Sequence, residues 1–293
     1  MGIRPGKIGP MSGPEVIFMR RDGRTQHEGQ EKAMRAMDKG VIYVATGPDY
    51  RALALQSVRS LRQVEPGLPV DLFTDAPDAV PPGVFDAVHP VENPHRRSKL
   101  DCMGQTRFER TLYLDCDTLV TAPLGDLFDL LDRFEMALAH EVRRASDLIR
   151  EGFEQVTPYA FPQMNSGVLL YRRSDRVLDF LRDWARRFAE SGVTRDQVIL
   201  KDMLWQGDLA FYVLPPEFNL RRLTVLDAWE PEDAIPTILH SHRLMDHMRN
   251  GGKQLTQVED LVEAERTAHR EEWADREVGN DPVARFLTPP ANR

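Results

Sequence analysis

Cysteine is scarce: only Cys102 and Cys116 occur in 293 residues, and neither sits in a paired spacing suited to a metal cluster or a redox motif. A disulfide framework is therefore excluded, and a reducing compartment, the cytoplasm, is expected. No apolar run approaches the ~18 residues needed to cross a bilayer, so a transmembrane segment is not expected. Met1–Gly40 mixes Gly, Pro and charge without the apolar stretch that a secretory signal requires. Excess positive charge is missing too. The net charge of −8 argues against nucleic acid or anionic lipid as a partner, because both need a positive field. Internal repeats and low-complexity tracts are absent.

What is present is a patterned globular chain, 41% hydrophobic and 29% charged. Val41–Thr46 reads as a buried strand, Gly47-Pro48-Asp49 as a turn and Tyr50–Val64 as a helix. Further apolar or β-branched runs predict strands at Val70–Thr74, Thr111–Leu114, Met136–Ala139, Val168–Tyr171, Phe211–Leu214 and Thr237–Leu239. Helical patterns lie between them, the longest over Asp175–Glu190. Alternating strands and helices predict an α/β fold with a mostly parallel, Rossmann-like sheet covered on both faces and ligands at the carboxyl ends of its strands. The expected organisation is a poorly ordered leader over 1–40, one catalytic domain over 41–250, and a charged C-terminal helix with a tail over 251–293.

The chemistry concentrates at one strand end. Leu112-Tyr113-Leu114 runs directly into Asp115-Cys116-Asp117. Two carboxylates one residue apart, where a buried strand leaves the sheet, can both approach one hard cation, which in turn can bridge a diphosphate. An Asp-x-Asp alone is as readily a solvated turn. Cys116 between them reads as a small packing residue, with response to oxidation as the alternative.

Several blocks around this pair, in matching order over roughly Val41–His242, resemble glycosyltransferase family 8, the glycogenin-like and bacterial sugar transferases of the GT-A nucleotide-sugar fold. They are Ala45–Tyr50 with Ser57, Ser60 and Leu61; Ser98–Cys102, whose Lys99 lies sixteen residues before Asp115; and Arg110–Val120 followed by Asp126-Leu127-Phe128. Met164–Tyr171, Arg195–Leu200, Leu214–Leu220 and Ile238-Leu239-His240 follow.

The resemblance implies a hexosyltransferase in which Asp115, Asp117 and His240 hold a divalent cation, Mn²⁺ or Mg²⁺, that carries the diphosphate of a sugar donor. His242, two residues on, is an alternative ligand, and a buried histidine satisfied by a neighbour is the alternative role for His240. Thr46 and Tyr50 match positions that contact the nucleotide, where a ring can stack on a base. Lys99 matches a diphosphate- or sugar-contacting cation, in a neighbourhood shared with Arg96 and Arg97. Asn165, Ser166 and Gly167 match the donor-sugar strand, and Asp115 and Cys116 join them as candidate substrate-binding residues. Asp196 and Gln197 match the pair beneath the anomeric carbon, although Asp196 also suits a helix N-terminus.

The same resemblance implies a UDP-sugar donor and an acceptor of unknown class (glycan, lipid or protein), chosen by Glu141–Gln163 and the C-terminal segment. One block departs from the family pattern His-x-x-Gly-x-x-Lys. Here Arg243 stands at the Gly and Asp246 at the Lys, so another cation must serve the leaving group; Arg221, Arg222, Arg243 and Lys253 are the candidates. The family retains anomeric configuration, and an amide at Gln197, where retaining glycosidases place a carboxylate nucleophile, favours front-face attack. A catalytically weak sugar-nucleotide or glycan-binding protein and a sugar-phosphate nucleotidylyltransferase are the other readings. The latter lacks the Gly-rich strand-end loop that it needs.

Overall fold

Lys39–Ala45 forms the first strand, β1, and its alternate residues serve two different cores. Val41, Tyr43 and Ala45 pack on one face of the sheet, and Ile42 with half-buried Val44 on the other. The computed structural model describes residues 38–142 and 152–274. The expected leader, apart from residues 38–40, and the expected tail lie outside the described residues. Seven strands form the central sheet in the order β3-β2-β1-β4-β7-β6-β8: Ala87–Pro90, Val70–Thr74, β1, Arg110–Leu114, Met164–Arg172, Met136–His140 and Phe211–Val213. β7 alone runs antiparallel to its neighbours. The other pairings are parallel, so the sheet is mostly parallel, with helices on both faces, as expected.

The chain winds outward from β1 through β2 to β3, then returns to the other side of β1 as β4. Strand order reverses between β1 and β4, and in open α/β sheets the crevice at such a reversal receives ligands. A second, two-stranded sheet pairs β5 (Thr118–Val120) antiparallel with β9 (Ile238–His240), Thr118 standing opposite His240.

Helix α1 (Pro48–Val64) covers one face through Leu53, Ala54, Val58 and Leu61. It follows Gly47, whose φ of +87° is open to glycine without strain, and starts on Pro48, whose missing N–H is no loss in a first turn. The other face carries α2 (Ser98–Met103), α3 (Asp175–Ser191) and α4 (Asp196–Gln206). In α3, Val177, Leu181 and Trp184 repeat at helical spacing, Ser174 accepts the Val177 N–H, and Gly192 ends the helix at φ +71°.

The expected elements shift in detail. β7 starts four residues before the expected Val168, and the short strands β3 and β5 were not expected. α5 (Asp246–Asn250) is short, and α3 shares the greatest length among the described residues with α1 and α6 (Val258–Ala274), 17 residues each. The charged helix α6 does dock, with Leu261 fully buried. Among the described residues no helix is long and apolar enough to cross a membrane.

Candidate active site

The turn after β4 is pinned before any ligand arrives. Thr118 Oγ1 donates to the Asp115 carbonyl at 2.8 Å, so it must accept from Ser57 Oγ (2.8 Å), which in turn accepts from Tyr43 Oη (2.9 Å). Burial pushes the Tyr43 hydroxyl well above its usual range, which keeps it a donor. The Asp115 N–H donates to Gly167 O on β7 at 2.7 Å, and the Ser241 N–H to Asp117 O at 3.1 Å. This small scaffold turns Asp115 and Asp117 towards the end of β9. Cys116 sits between them, buried, with Sγ against Val44 O at 3.3 Å.

The ligating atoms of Asp115, Asp117 and His240 all lie within 4.8 Å of one another. His240 Nε2 is 3.4 Å from Asp117 Oδ1 and 4.0 Å from Asp115 Oδ2. His242 is not part of this trio: β9 ends at His240, and His242 opens a tight 3₁₀ turn instead of continuing the strand face.

A chain of hydrogen bonds fixes the ring of His240, and it starts at a backbone donor, so its polarity is unambiguous. The Gly167 N–H donates to Asn165 Oδ1 at 3.0 Å, so the Asn219 atom 3.0 Å from that oxygen must be the amide nitrogen. Asn219 Oδ1 then faces His240 Nδ1 at 2.9 Å, which requires the proton on Nδ1. Nε2 is left facing the two carboxylates, where its lone pair can take a cation, the arrangement that a metal-ligating histidine takes from an outer partner. His240 is thus both a satisfied buried residue and a ring presented to the Asp pair.

Three further observations fit a divalent cation. Asp115 Oδ1 accepts from Tyr113 Oη, and Lys99 Nζ straddles both carboxylate oxygens (3.3 and 3.4 Å), so Oδ2 is the less engaged of the two and faces the trio. Burial pushes the Asp117 carboxyl up, but a charged His240 ring and Arg221 pull it further down, so it is held ionised, and a cation at Nε2 would take over the charge that the ring supplies. A Cβ on Gly167 would lie 2.2 Å from His240 Cε1 and 2.6 Å from Asp115 Oδ2, so the missing side chain is what leaves the ligands room. Ligands on opposite sides of a six-coordinate ion with ~2.1 Å bonds stand about 4.2 Å apart, within a side-chain adjustment of the observed spacing. Two carboxylates and an imidazole suit a borderline-hard ion.

Asn219→Leu removes the partner that sets the His240 tautomer. Mn²⁺ binding, followed by the paramagnetic resonance of free Mn²⁺, is expected to weaken by roughly 10- to 100-fold. Unchanged binding would show that the Asn219 contact does not position the ring.

The other expected residues converge on the same crevice. Lys99 is buried and bridges Asp115, Ser166 Oγ (3.0 Å) and Asp196 Oδ2 (3.5 Å). Burial lowers its proton affinity, but Asp115 and Asp196 more than restore it, so it is a fixed cation. Ser166 Oγ donates to Asp196 Oδ2 at 2.7 Å, and Arg97 Nε lies 3.1 Å from Asp196 Oδ1. Asn165 has both lone pairs and one N–H engaged by protein, so its main work is internal. The Gln197 amide nitrogen donates to Met164 O (2.8 Å) and Glu141 Oε2 (3.1 Å), which turns its carbonyl oxygen away from both. Thr46 is half-buried at the end of β1, and Tyr50 is 43% exposed on the first turn of α1. Asp75, at the end of β2, accepts the Gly47 N–H (3.0 Å) and Arg51 (2.6 Å) and so shapes the loop between Thr46 and Tyr50.

Glu141 was expected only as the first residue of the acceptor segment, with no role of its own, although it follows an apolar strand as Asp115 does. It is 5% exposed, and its Oε2 accepts from Asn165, Gln197 and Arg221. Of the expected acceptor segment Glu141–Gln163, residues 143–151 lie outside the described residues. The stretch after it is anchored by Asp202 Oδ2, which accepts the N–H groups of Phe153, Glu154 and Gln155. Of the cations expected to replace the absent lysine, Arg243 is engaged by Asp246 (3.4 Å) and Glu265 (3.9 Å), whereas Arg221 lies close enough to depress the Asp117 carboxyl.

Burial raises the carboxyls of Asp196 and Glu141, but Lys99 and Arg97 on one and Arg221 on the other overcome it, holding both below their ordinary values. Groups whose folded values are depressed stabilise the fold fully above the unfolded value, ~4, and lose that contribution as pH falls through the folded value. The contribution of these two carboxyls to the urea midpoint is therefore expected to be constant down to about pH 5 and to be lost as pH falls below about 4. Asp196→Asn should shrink the acid-side fall; an unaltered profile would exclude Asp196 as a source.

No protein-family model matches the chain, and no curated protein matches it by sequence. Solved structures do resemble it. The glycosyltransferase GlyE of Streptococcus pneumoniae TIGR4 aligns with a TM-score of 0.50 and 17% identity over 81% of this chain, which spans 63% of GlyE. An active-site mutant of LgtC, named elsewhere a galactosyltransferase, aligns with a TM-score of 0.50 and 14% identity over 78% of this chain and 95% of LgtC. At these identities the likeness establishes the fold, which is of the GT-A type.

Proposed function

We propose that this chain is a metal-dependent glycosyltransferase that moves a hexosyl group from a nucleoside diphosphate sugar, a UDP-sugar by preference, to an acceptor hydroxyl. The observation that carries the reading is the meeting of Asp115, Asp117 and His240 within 4.8 Å, at the strand-order reversal where a GT-A sheet binds its ligand. These three residues hold Mn²⁺ or Mg²⁺, which when bound neutralises charge on the diphosphate leaving group. Within the reading, 41–250 is the transferase domain and 251–293 its C-terminal helix and tail.

Thr46 and Tyr50 hold the nucleotide, the exposed Tyr50 ring being free to stack on a base. Lys99, Ser166, Gly167 and Asp196 frame the donor sugar. Because Gln197 offers a neutral carbonyl oxygen and no carboxylate, attack from the leaving-group face fits best, the departing phosphate oxygen taking the acceptor proton. Product of inverted anomeric configuration would exclude that route.

The test is release of UDP from UDP-glucose and UDP-galactose by the purified full chain with Mn²⁺ and with excess chelator. Mn²⁺-dependent release supports the transferase. Tight binding of the donor with no turnover would identify a sugar-nucleotide-binding protein instead, and no binding would overturn the assignment.

A further inference from the structure

A cavity of about 430 Å³ opens at the carboxyl ends of β6 and β8, next to the metal trio but lined by other residues. Its inner end is Glu141 and Asn219, the side chains that support Gln197 and His240. Its walls include Val213, Leu214 and Val225, and its remaining polar lining includes the adjacent pair Arg221 and Arg222.

The two arginines are not consumed by the fold. Arg221 donates through one terminal nitrogen to Glu141 Oε2 at 3.0 Å, while its Nε is buried without a hydrogen-bond partner. A buried guanidinium N–H without a protein partner is left to water or to a ligand. Arg222 is exposed beside it. Among the described residues Glu141 is the one acidic side chain lining the cavity, and four donors already occupy its two oxygens, counting the Val142 N–H on Oε1. In a chain of net charge −8, this pocket therefore presents unspent positive charge.

We propose that this cavity is the acceptor subsite and that the acceptor carries an anionic group, a phosphate monoester or a carboxylate, held by Arg221 and Arg222. The inference rests on the transferase reading and names its second substrate by chemistry. A guanidinium pair binds either anion through paired N–H donors, while the apolar wall accepts a sugar ring or hydrocarbon. The accepting hydroxyl then lies towards Glu141 and Gln197. Its oxygen forms the new bond to the anomeric carbon, the bond from that carbon to the diphosphate breaks, and the hydroxyl proton passes to the departing phosphate oxygen.

The experiment compares methyl glucoside, glucose 6-phosphate and glucuronic acid as acceptors for the full chain with Mn²⁺ and UDP-galactose or UDP-glucose, reading UDP release and the acceptor and donor KM separately. At least one anionic compound is expected to stimulate release about tenfold over the neutral one, the size of one charged hydrogen bond. Which one it is separates phosphate from carboxylate. Arg222→Ala should raise the KM for that acceptor about tenfold, with partial rescue in Arg222→Lys. Equal stimulation by the neutral sugar, no stimulation by either anion while the donor is still hydrolysed, or an Arg222→Ala effect confined to the donor KM would each overturn the inference. Failure of the transferase reading looks different, because then no Mn²⁺-dependent turnover of donor occurs with any acceptor.

Discussion

Asp117→Ala is expected to abolish Mn²⁺-dependent release of UDP and to weaken Mn²⁺ binding by more than about 100-fold. That is beyond the cost of losing a merely supporting partner. The reason is geometric. Asp115 has Tyr113 on one oxygen and Lys99 across both, and His240 supplies a single nitrogen, so Asp117 is the ligand with the least competition for its charge. The fold should survive the change, since the turn is held by the Tyr43, Ser57 and Thr118 relay to the Asp115 carbonyl and by the Asp117 backbone oxygen, none of which needs the carboxylate. Thermal unfolding separates the two possibilities. Mn²⁺ at 100 times its Kd should stabilise the parent by ~2.7 kcal/mol, and the variant should show no such rise while melting near the metal-free parent. A variant that still gains stability from Mn²⁺ would remove Asp117 from the site.

The parts of this fold legible in the sequence are those whose signal is local. Strands of a mostly parallel sheet are buried on both faces, so Val41–Ala45, Val70–Thr74 and Leu112–Leu114 stand out as apolar runs. β5 escaped because three residues after an acidic turn carry no periodicity, yet this short strand sets His240 opposite Thr118 and so assembles the trio. The amino end of β7 escaped for a different reason. Asn165 and Ser166 are residue types that favour turns, but here they are strand residues whose polar groups are satisfied by Asn219, Glu141, Lys99 and Asp196. Those partners lie 24 to 67 residues away in sequence, and no window of the chain reveals them. The tautomer of His240 is of the same kind, because it is decided by an amide 21 residues away whose own orientation is decided by a backbone N–H on another strand.

Trp184→Ala is the substitution expected to destabilise most, by about 3–5 kcal/mol for removal of a core indole. Trp184 is fully buried on α3, and its Nε1–H donates to the Asp196 carbonyl at 3.0 Å at the start of α4. The ring therefore does two things: it fills the core beneath β7, and it holds the backbone from which Asp196 and Gln197 project. Trp184→Phe separates them, since it keeps most of the volume but removes the indole donor to the Asp196 carbonyl, at about 0.5–1.5 kcal/mol. Urea midpoints should rank parent, Phe and Ala in falling order. The Phe variant should also lose affinity for the donor at temperatures where it remains folded, because Asp196, held between Lys99, Ser166 and Arg97, would no longer be anchored from behind. If Phe weakens folding but leaves donor affinity intact, Trp184 belongs to the core alone, and the salt-bridge cluster is by itself enough to keep Asp196 in place.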